Sequence, residues 1–262
     1  MCLIIVSQVR IKTPSQIAKI RSSGEYLTEL LQMLYQSIVP GMSLIAIQDI
    51  AMRYIDQHHL IPAFYQYGWF PGKICLSLND CVVHGIPDRT IIKPWDLLKV
   101  DAGINYQWAI SDAAFSIVVG WADTNPEAQW LIDATKAALD TGLQYIQSGK
   151  ELIHRATHIE KYMNDRNYSV IRSLTGHGVG LDVHEAPHIY NHPHKTMRKH
   201  RFQTGMVVAL EPITALASVG YIEDMVNKRN LYTDQWDLGA QWEYTVAVTD
   251  NWPEVLAWLQ KI

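Results

Sequence analysis

Five acidic or imidazole side chains stand where a buried charge needs a reason. Asp101 lies in the apolar run Leu97-Leu-Lys-Val-Asp101-Ala-Gly, and Asp112 follows eleven positions later in Ile110-Ser-Asp112-Ala-Ala-Phe. A carboxylate inside an apolar strand is costly unless paired or bound to a metal. Two adjacent strands joined by a turn would bring both aspartates together, and a divalent cation would relieve their repulsion. The plain alternative for either one alone is a turn or surface aspartate. His177 lies in Gly176-His177-Gly178-Val-Gly180. Its flanking glycines clear space around the imidazole and let the backbone bend, as a held ligand requires or as an ordinary turn allows. Glu211 in Met206-Val-Val-Ala-Leu-Glu211-Pro212 and Glu243 in Gln241-Trp-Glu243-Tyr-Thr-Val each adjoin a strand-like run. Singly they read as strand-edge charges. Together, two Asp, two Glu and one His form an oxygen-rich set suited to two divalent first-row metals with bridging carboxylates.

Several other chemistries are excluded. His184-Glu185-Ala-Pro187-His188 matches His-Glu-x-x-His, but the zinc-protease reading needs both histidines on one helical turn. Pro187 would break that turn at a cost of about 3 kcal/mol, so His188, His192, His194 and His200 are expected in a solvated loop spanning 187–201. No Gly-x-Ser-x-Gly elbow or phosphate-binding loop ending in Lys-Ser or Lys-Thr occurs. The 262 residues carry a net charge of −4, which argues against nucleic acid as the primary partner. Hydrophobic residues at 48% and charged residues at 18% give an ordinary globular balance. Cys2, Cys75 and Cys81 are an odd set without Cys-x-x-Cys. That disfavours a disulfide framework and fits a reducing cytoplasm. The apolar start Met1–Val6 is too short for a membrane span or a signal peptide.

The elements that must position these residues alternate between two periods. Helices are predicted from Pro14 to about Ile38, Ser43 to His59, Pro126 to Gln147 and Leu152 to about Asn167, from apolar spacing and flanking Pro and Gly. Strands are predicted at 74–83, 97–104, 115–119, 207–210, 221–226 and 243–248. A faint repeat relates Ile38-Val-Pro-Gly41-Met-Ser-Leu44-Ile45 to Ile146-Gln-Ser-Gly149-Lys-Glu-Leu152-Ile153 at an offset of 108. Helix, helix, strands therefore occurs twice, as expected of two equivalent halves sharing one core.

With these stretches assembled, the chain resembles the type I methionine aminopeptidases of metallopeptidase family M24 over nearly its full length. The resemblance rests on Asn79-Asp-Cys-Val-Val-His84-Gly-Ile-Pro-Asp88, Val100-Asp101, Ser111-Asp112, Gly176-His177-Gly178-Val-Gly180, His184-Glu185-Ala-Pro187, Glu211-Pro212 and Gln241-Trp-Glu243. It implies an α+β "pita-bread" fold over 1–262 as a single catalytic domain, with two pseudo-symmetric halves around a dinuclear site. Asp112 and Glu243 would bridge two divalent ions (Co, Mn, Fe or Zn), Asp101 would chelate one, and His177 and Glu211 would complete the other. Metal-activated water would attack the carbonyl after the first residue, with Glu211 also moving protons. His84 would contact the scissile amide nitrogen and His184 the carbonyl oxygen; a histidine capping a hairpin end is the plain alternative for His84. Phe64, Tyr67, Phe70 and Cys75 would form the methionine pocket, with Phe64, Phe70 and Val183 departing from the common pattern. Trp236 would overhang the site. The 33 residues between His177 and Glu211 and the 31 between Glu211 and Glu243 leave no room for the type II insertion, so the bacterial-like form is the match.

The implied substrates are nascent polypeptides or peptides that begin with Met and continue with a small residue, in the cytoplasm, with ribosome association allowed. Neither sequence-specific nucleic acid nor membrane is implied as a partner. Two rivals remain: a proline-directed peptidase on the same fold, and a binding module that has lost catalysis. A complete ligand set argues against the second.

Overall fold

The structure is a computed structural model and describes residues 8–260, so the start Met1–Val6, with Cys2, lies outside the described residues. In chain order the elements are helices α1 (Pro14–Ser37) and α2 (Leu44–Gln57), then strands β1 (Ile61–Pro62), β2 (Cys75–Leu78), β3 (Cys81–Val83), β4 (Leu97–Tyr106) and β5 (Ala109–Val118). Helices α3 (Pro126–Leu143) and α4 (Leu152–Asn164) come next. The second half continues with β6 (Ser169–Val170), β7 (Thr175–Gly178), β8 (Glu185–Tyr190), β9 (Val207–Leu210), β10 (Ile213–Ala215), β11 (Tyr221–Glu223), β12 (Leu231–Thr233), β13 (Gly239–Gln241), β14 (Tyr244–Ala247) and β15 (Glu254–Ala257).

Local chemistry sets the helix starts. Thr13 and Gln16 form a reciprocal capping box ahead of Pro14. Ser43 caps α2 and Asn125 caps α3, each accepting from a backbone amide three residues on. Ile20, Leu27, Leu30, Leu31 and Leu34 of α1 are fully buried. Helix α1 lies on β4, β5 and β15, while α3 and α4 pack on each other.

The repeat survives in three dimensions as matched hydrogen bonds. Gly41 and Gly149, both with positive φ, donate to the carbonyls of Ile92 and Phe202 at 2.9 and 2.8 Å. The first residues of α2 and α4, Leu44 and Leu152, donate to Thr90 and His200, both at 3.1 Å.

Two sheets carry the site. One has the order β1-β4-β2 with β5 paired to β4; the other is β15-β14-β9-β7-β8. Alternation in β4 sends Leu98, Val100, Ala102 and Ile104 into the core with the helices, and Lys99, Asp101 and Gly103 to the opposite face. The two sheets meet where the Glu243 amide donates to the Ala114 carbonyl at 2.9 Å.

Three expectations are corrected. The run 74–83 is two strands in different sheets, divided at Asn79, whose φ of 49° is in the left-handed region that Asn tolerates. Asp112 lies within a ten-residue strand, not ahead of one. Residues 187–201 are not a solvated loop. They contain most of β8 and a short 3-10 turn, and Asn191, His192 and Met197 are buried. His192 is held by its Nε2 against the Arg172 carbonyl at 3.0 Å. His188 and His200 are exposed as expected, and His194 is half-buried against the Tyr190 ring. Pro187 sits in a strand, so the helical zinc-protease geometry is absent.

Candidate active site

Strand register explains the spacing of the acidic residues. In the β4–β5 hairpin Asp101 faces Ala114 and Gly103 faces Asp112. Asp101 and Asp112 are therefore diagonal neighbours on one face, within reach of each other. The second half repeats the arrangement. His177 on β7 faces Ala209 on β9, and Glu211 lies two residues further along that chain. His177 Nε2 is 3.3 Å from Glu211 Oε1 and 3.9 Å from Asp112 Oδ2. Glu243 directly precedes β14, whose Tyr244 faces Leu210, so it extends the same ladder beside Glu211. Ligand atoms of Asp112, His177 and Glu243 all lie within 4.8 Å of one another.

The glycines flanking His177 bracket an irregularity in the β7–β8 register, as the expected bend requires, and they also serve close packing. A Cβ on Gly176 would strike the Ala209 carbonyl, and one on Gly178 the Ala186 carbonyl. His84 directly succeeds β3 with φ 59°, and its neighbour Gly85 is fixed by bonds of 2.9 Å to Ser77 Oγ and from the Leu76 amide. A left-handed residue costs about 1–2 kcal/mol, and here it turns the imidazole into the cavity.

That cavity holds about 480 Å³ and is lined by all five sequence-predicted ligands, by His84 and His184, and by Phe64, Tyr67, Phe70 and Cys75. The volume suits a small organic ligand such as a short peptide. Phe64, Phe70, Cys75 and Val183 share one apolar cluster, with Tyr67 packed against it. Burial raises the Cys75 thiol well above its ordinary range, so it is a neutral wall and not a nucleophile. The His184 ring packs edge-on to His177 at 4.2 Å and against Tyr67 at 5.1 Å.

The electrostatics are those of a crowded anionic cluster. Burial, then the charge of Glu211, pushes Asp101 up to about 7. Burial and neighbouring carboxylates also raise Asp112 and Glu243 well above the usual range. Partial desolvation by the cavity walls lowers His84, whose side chain still reaches solvent, and burial lowers the half-buried His184, so both are neutral at pH 7. Burial opposes charge on His177, but its hydrogen bond and charge interaction with Glu211 outweigh this and raise it.

A family model described as metallopeptidase family M24 matches residues 18–250. The chain belongs to metallopeptidase family M24. A methionine aminopeptidase of Borreliella burgdorferi is 31% identical over 259 residues, covering 96% of this chain and 99% of the relative. The crystal structure of methionine aminopeptidase from Rickettsia prowazekii superposes with a TM-score of 0.91 at 28% identity, over 95% of this chain and 99% of that one. The methionine aminopeptidase structure from Thermotoga maritima gives 0.90 at 29% identity, over 96% and 100%. The M24 chain thus has the pita-bread fold, and its family uses divalent metal.

The residues of this M24 chain fit such a metal. Asp101 Oδ1, Asp112 Oδ1 and Glu243 Oε1 are buried without a hydrogen-bond partner. Orphaned buried carboxylate oxygens are what a cation satisfies, and those of Asp112 and Glu243 lie in the group that includes His177. The same carboxylates tie stability to pH. Unfolded aspartates ionise near pH 4, whereas in the metal-free fold Asp101 does so near 7. The stability contributed by the raised value is therefore present below about pH 4 and is lost as pH rises through about 7. Bound metal favours the ionised form, so the gain in Tm on adding metal should grow from pH 5 to pH 8. Melts with chelator and with metal across that range check it; a constant gain would show that the carboxylates are not the metal-coupled groups.

Sequence reasoning missed four contributors. Gln241 donates from Nε2 to Glu211 Oε2 at 3.2 Å and Asp101 Oδ2 at 3.5 Å, linking ligands from both halves. Its place two residues before Glu243, at the end of β13, was the available signal. Asn191 donates from Nδ2 to the Glu211 carbonyl at 2.8 Å and is itself held at 3.0 Å by the buried Arg155. Nothing in the sequence marks that pair. Trp236, expected to overhang the site, is instead 62% exposed, rests against Tyr232 and does not line the cavity. Arg229 lines it.

Proposed function

We propose that this chain is a bacterial-like type I methionine aminopeptidase that removes the first methionine from polypeptides whose second residue is small. One observation carries the reading: five metal-type ligands, three with unsatisfied buried oxygens, share one cavity of about 480 Å³ with the apolar wall of Phe64, Phe70 and Cys75. Asp101, Asp112, His177, Glu211 and Glu243 would hold two divalent ions, with Asp112 and Glu243 shared. Mn, Fe, Co and Zn all suit carboxylate and imidazole ligands. When bound, the metal supplies a lowered water pKa and a polarised carbonyl.

The chain's own groups do the rest. Phe64, Tyr67, Phe70 and Cys75 enclose an unbranched thioether in a dry, polarisable wall. Neutral His84 accepts from the scissile amide N–H, and neutral His184 donates toward the carbonyl oxygen, where negative charge develops. Glu211, poised by Gln241 and by Asn191 on its carbonyl, moves the proton from attacking water to the leaving amine. Ligands from both halves make 1–262 one catalytic unit. Its substrates are Met-initiated nascent chains and peptides, processed in the cytoplasm with the ribosome as the place of encounter. The buried free thiols of Cys75 and Cys81 agree with a reducing compartment. No helix among the described residues is long and apolar enough to cross a membrane.

The test is kcat/KM on Met-Ala, Leu-Ala, Met-Lys and Xaa-Pro peptides after reconstitution with each metal. Met-Ala should exceed Leu-Ala by about tenfold or more, as a shape mismatch in a close-packed pocket demands. Equal rates would remove the methionine assignment and leave an aminopeptidase. Preference for Xaa-Pro would install the proline-directed alternative.

A further inference from the structure

Arg229 is the sole Arg or Lys among the described residues lining the cavity. Its guanidinium has neither an ion-pair nor a hydrogen-bond partner among those residues. By contrast Arg21, Arg172 and Arg201 each meet a glutamate at the surface. The residue is half-buried, and its guanidinium carries five donors.

The backbone beneath it is fixed. Asp224 Oδ1 accepts from the amides of Val226 and Asn227 at 2.7 and 2.9 Å, and Asn227 Oδ1 from those of Arg229 and Asn230 at 2.8 and 3.0 Å. Two residues on, Leu231 faces Val83, the residue that leads into His84. Asn230 Oδ1 also accepts from the Ile86 amide at 3.1 Å. The turn bearing Arg229 is thus tied to the strand end bearing His84. After burial and the opposing charge of Glu211, the charge of Arg229 is the next influence on His84 and helps keep it neutral.

We infer that Arg229 is a specificity-determining residue that receives a carboxylate on the leaving-group side of the scissile bond. The inference rests on the aminopeptidase reading, in which His84 marks the amide nitrogen and Arg229 therefore flanks the substrate residues beyond that nitrogen. The five-ligand cluster lines the same cavity. A guanidinium at this place can grip a carboxylate through two parallel hydrogen bonds. The carboxylate has two sources: an acidic side chain soon after the small second residue, or the free terminus of a dipeptide.

Paired substrates separate them. Met-Ala-Asp-amide against Met-Ala-Asn-amide reads the side chain, and Met-Ala against Met-Ala-amide reads the terminus. The metal-loaded wild type should favour the carboxylate member of at least one pair by about tenfold in kcat/KM, the worth of one charge-assisted contact. In Arg229→Gln that ratio should fall toward one, and Arg229→Lys should restore part of it. No preference in either pair, or one that persists in Arg229→Gln, overturns the inference. Calorimetric binding of the two tripeptide amides keeps the question apart from turnover. Peptides bound with an Arg229-dependent carboxylate preference but never cleaved would retain this subsite and overturn the aminopeptidase reading instead.

Discussion

Asp112→Ala should abolish turnover and cut metal content, while leaving the metal-free protein at least as stable as its parent. Asp112 is a shared ligand in the proposed site, so its loss disturbs both ions. The expected fall in kcat/KM exceeds the ~10²–10³-fold cost of losing one transition-state donor. Asp101→Ala removes a ligand of one ion only, so metal analysis should show one weakened site. The stability arm separates chemistry from folding. In the metal-free fold Asp112 is a buried carboxyl driven upward by burial and by Asp101 and Glu211. Deleting it relieves repulsion in a low-dielectric cluster, and its backbone amide keeps its bond to Thr245 Oγ1 at 2.9 Å. The variant should therefore melt no earlier than the parent in chelator, but should lack the parent's gain on adding metal. Full activity in Asp112→Ala would end the shared-ligand mechanism.

Much of this site was legible because antiparallel register converts sequence spacing into geometry. Asp101 and Asp112 flank a tight turn at Gln107-Trp108, and pairing of Tyr106 with Ala109 fixes everything upstream. The four long helices were equally plain, since capping residues and a 3.6-residue apolar period announce them. The repeat pointed correctly to two halves because Gly41 and Gly149 solve the same local problem, a left-handed turn before a helix. What stayed hidden depends on partners distant in sequence. Residues 187–201 read as solvated from their His, Lys and Arg content, yet β8 is ordered by pairing with β7 and Arg155 is buried beneath it. Trp236 was expected at the cavity and Arg229 was not, because the short strands β11 and β12 around them carry too few residues to show a period.

Glu185 shows how a motif can mislead and still matter. It is the glutamate of the rejected His-Glu-x-x-His match, and it holds a buried ion pair. Lys12 Nζ lies 2.7 Å from Glu185 Oε2, with both side chains almost wholly shielded. Glu185 Oε1 accepts from the amides of Leu181 and Asp182 at 2.7 and 3.1 Å, and Arg10 approaches it at 4.0 Å from the rim. One carboxylate therefore fastens the segment ahead of α1 to the loop that carries Val183 and His184. Lys12→Met should destabilise the fold by about 3–5 kcal/mol, because it leaves a buried carboxylate without its counter-ion. For a chain of this length that lowers Tm by roughly 10 °C or more. Glu185→Leu should cost at least as much, since it strands Lys12 and two loop amides together. The two changes should be strongly non-additive, as the second removes a charge the first has already unpaired. Because His184 is the adjacent residue, the surviving folded fraction of Lys12→Met should lose kcat more than it gains KM. Denaturant unfolding of the single and double variants checks the sequence of effects. A cost below about 1 kcal/mol for Lys12→Met, the range of an exposed pair, would show that the ion pair is solvated and that the His184 loop is held by its backbone alone.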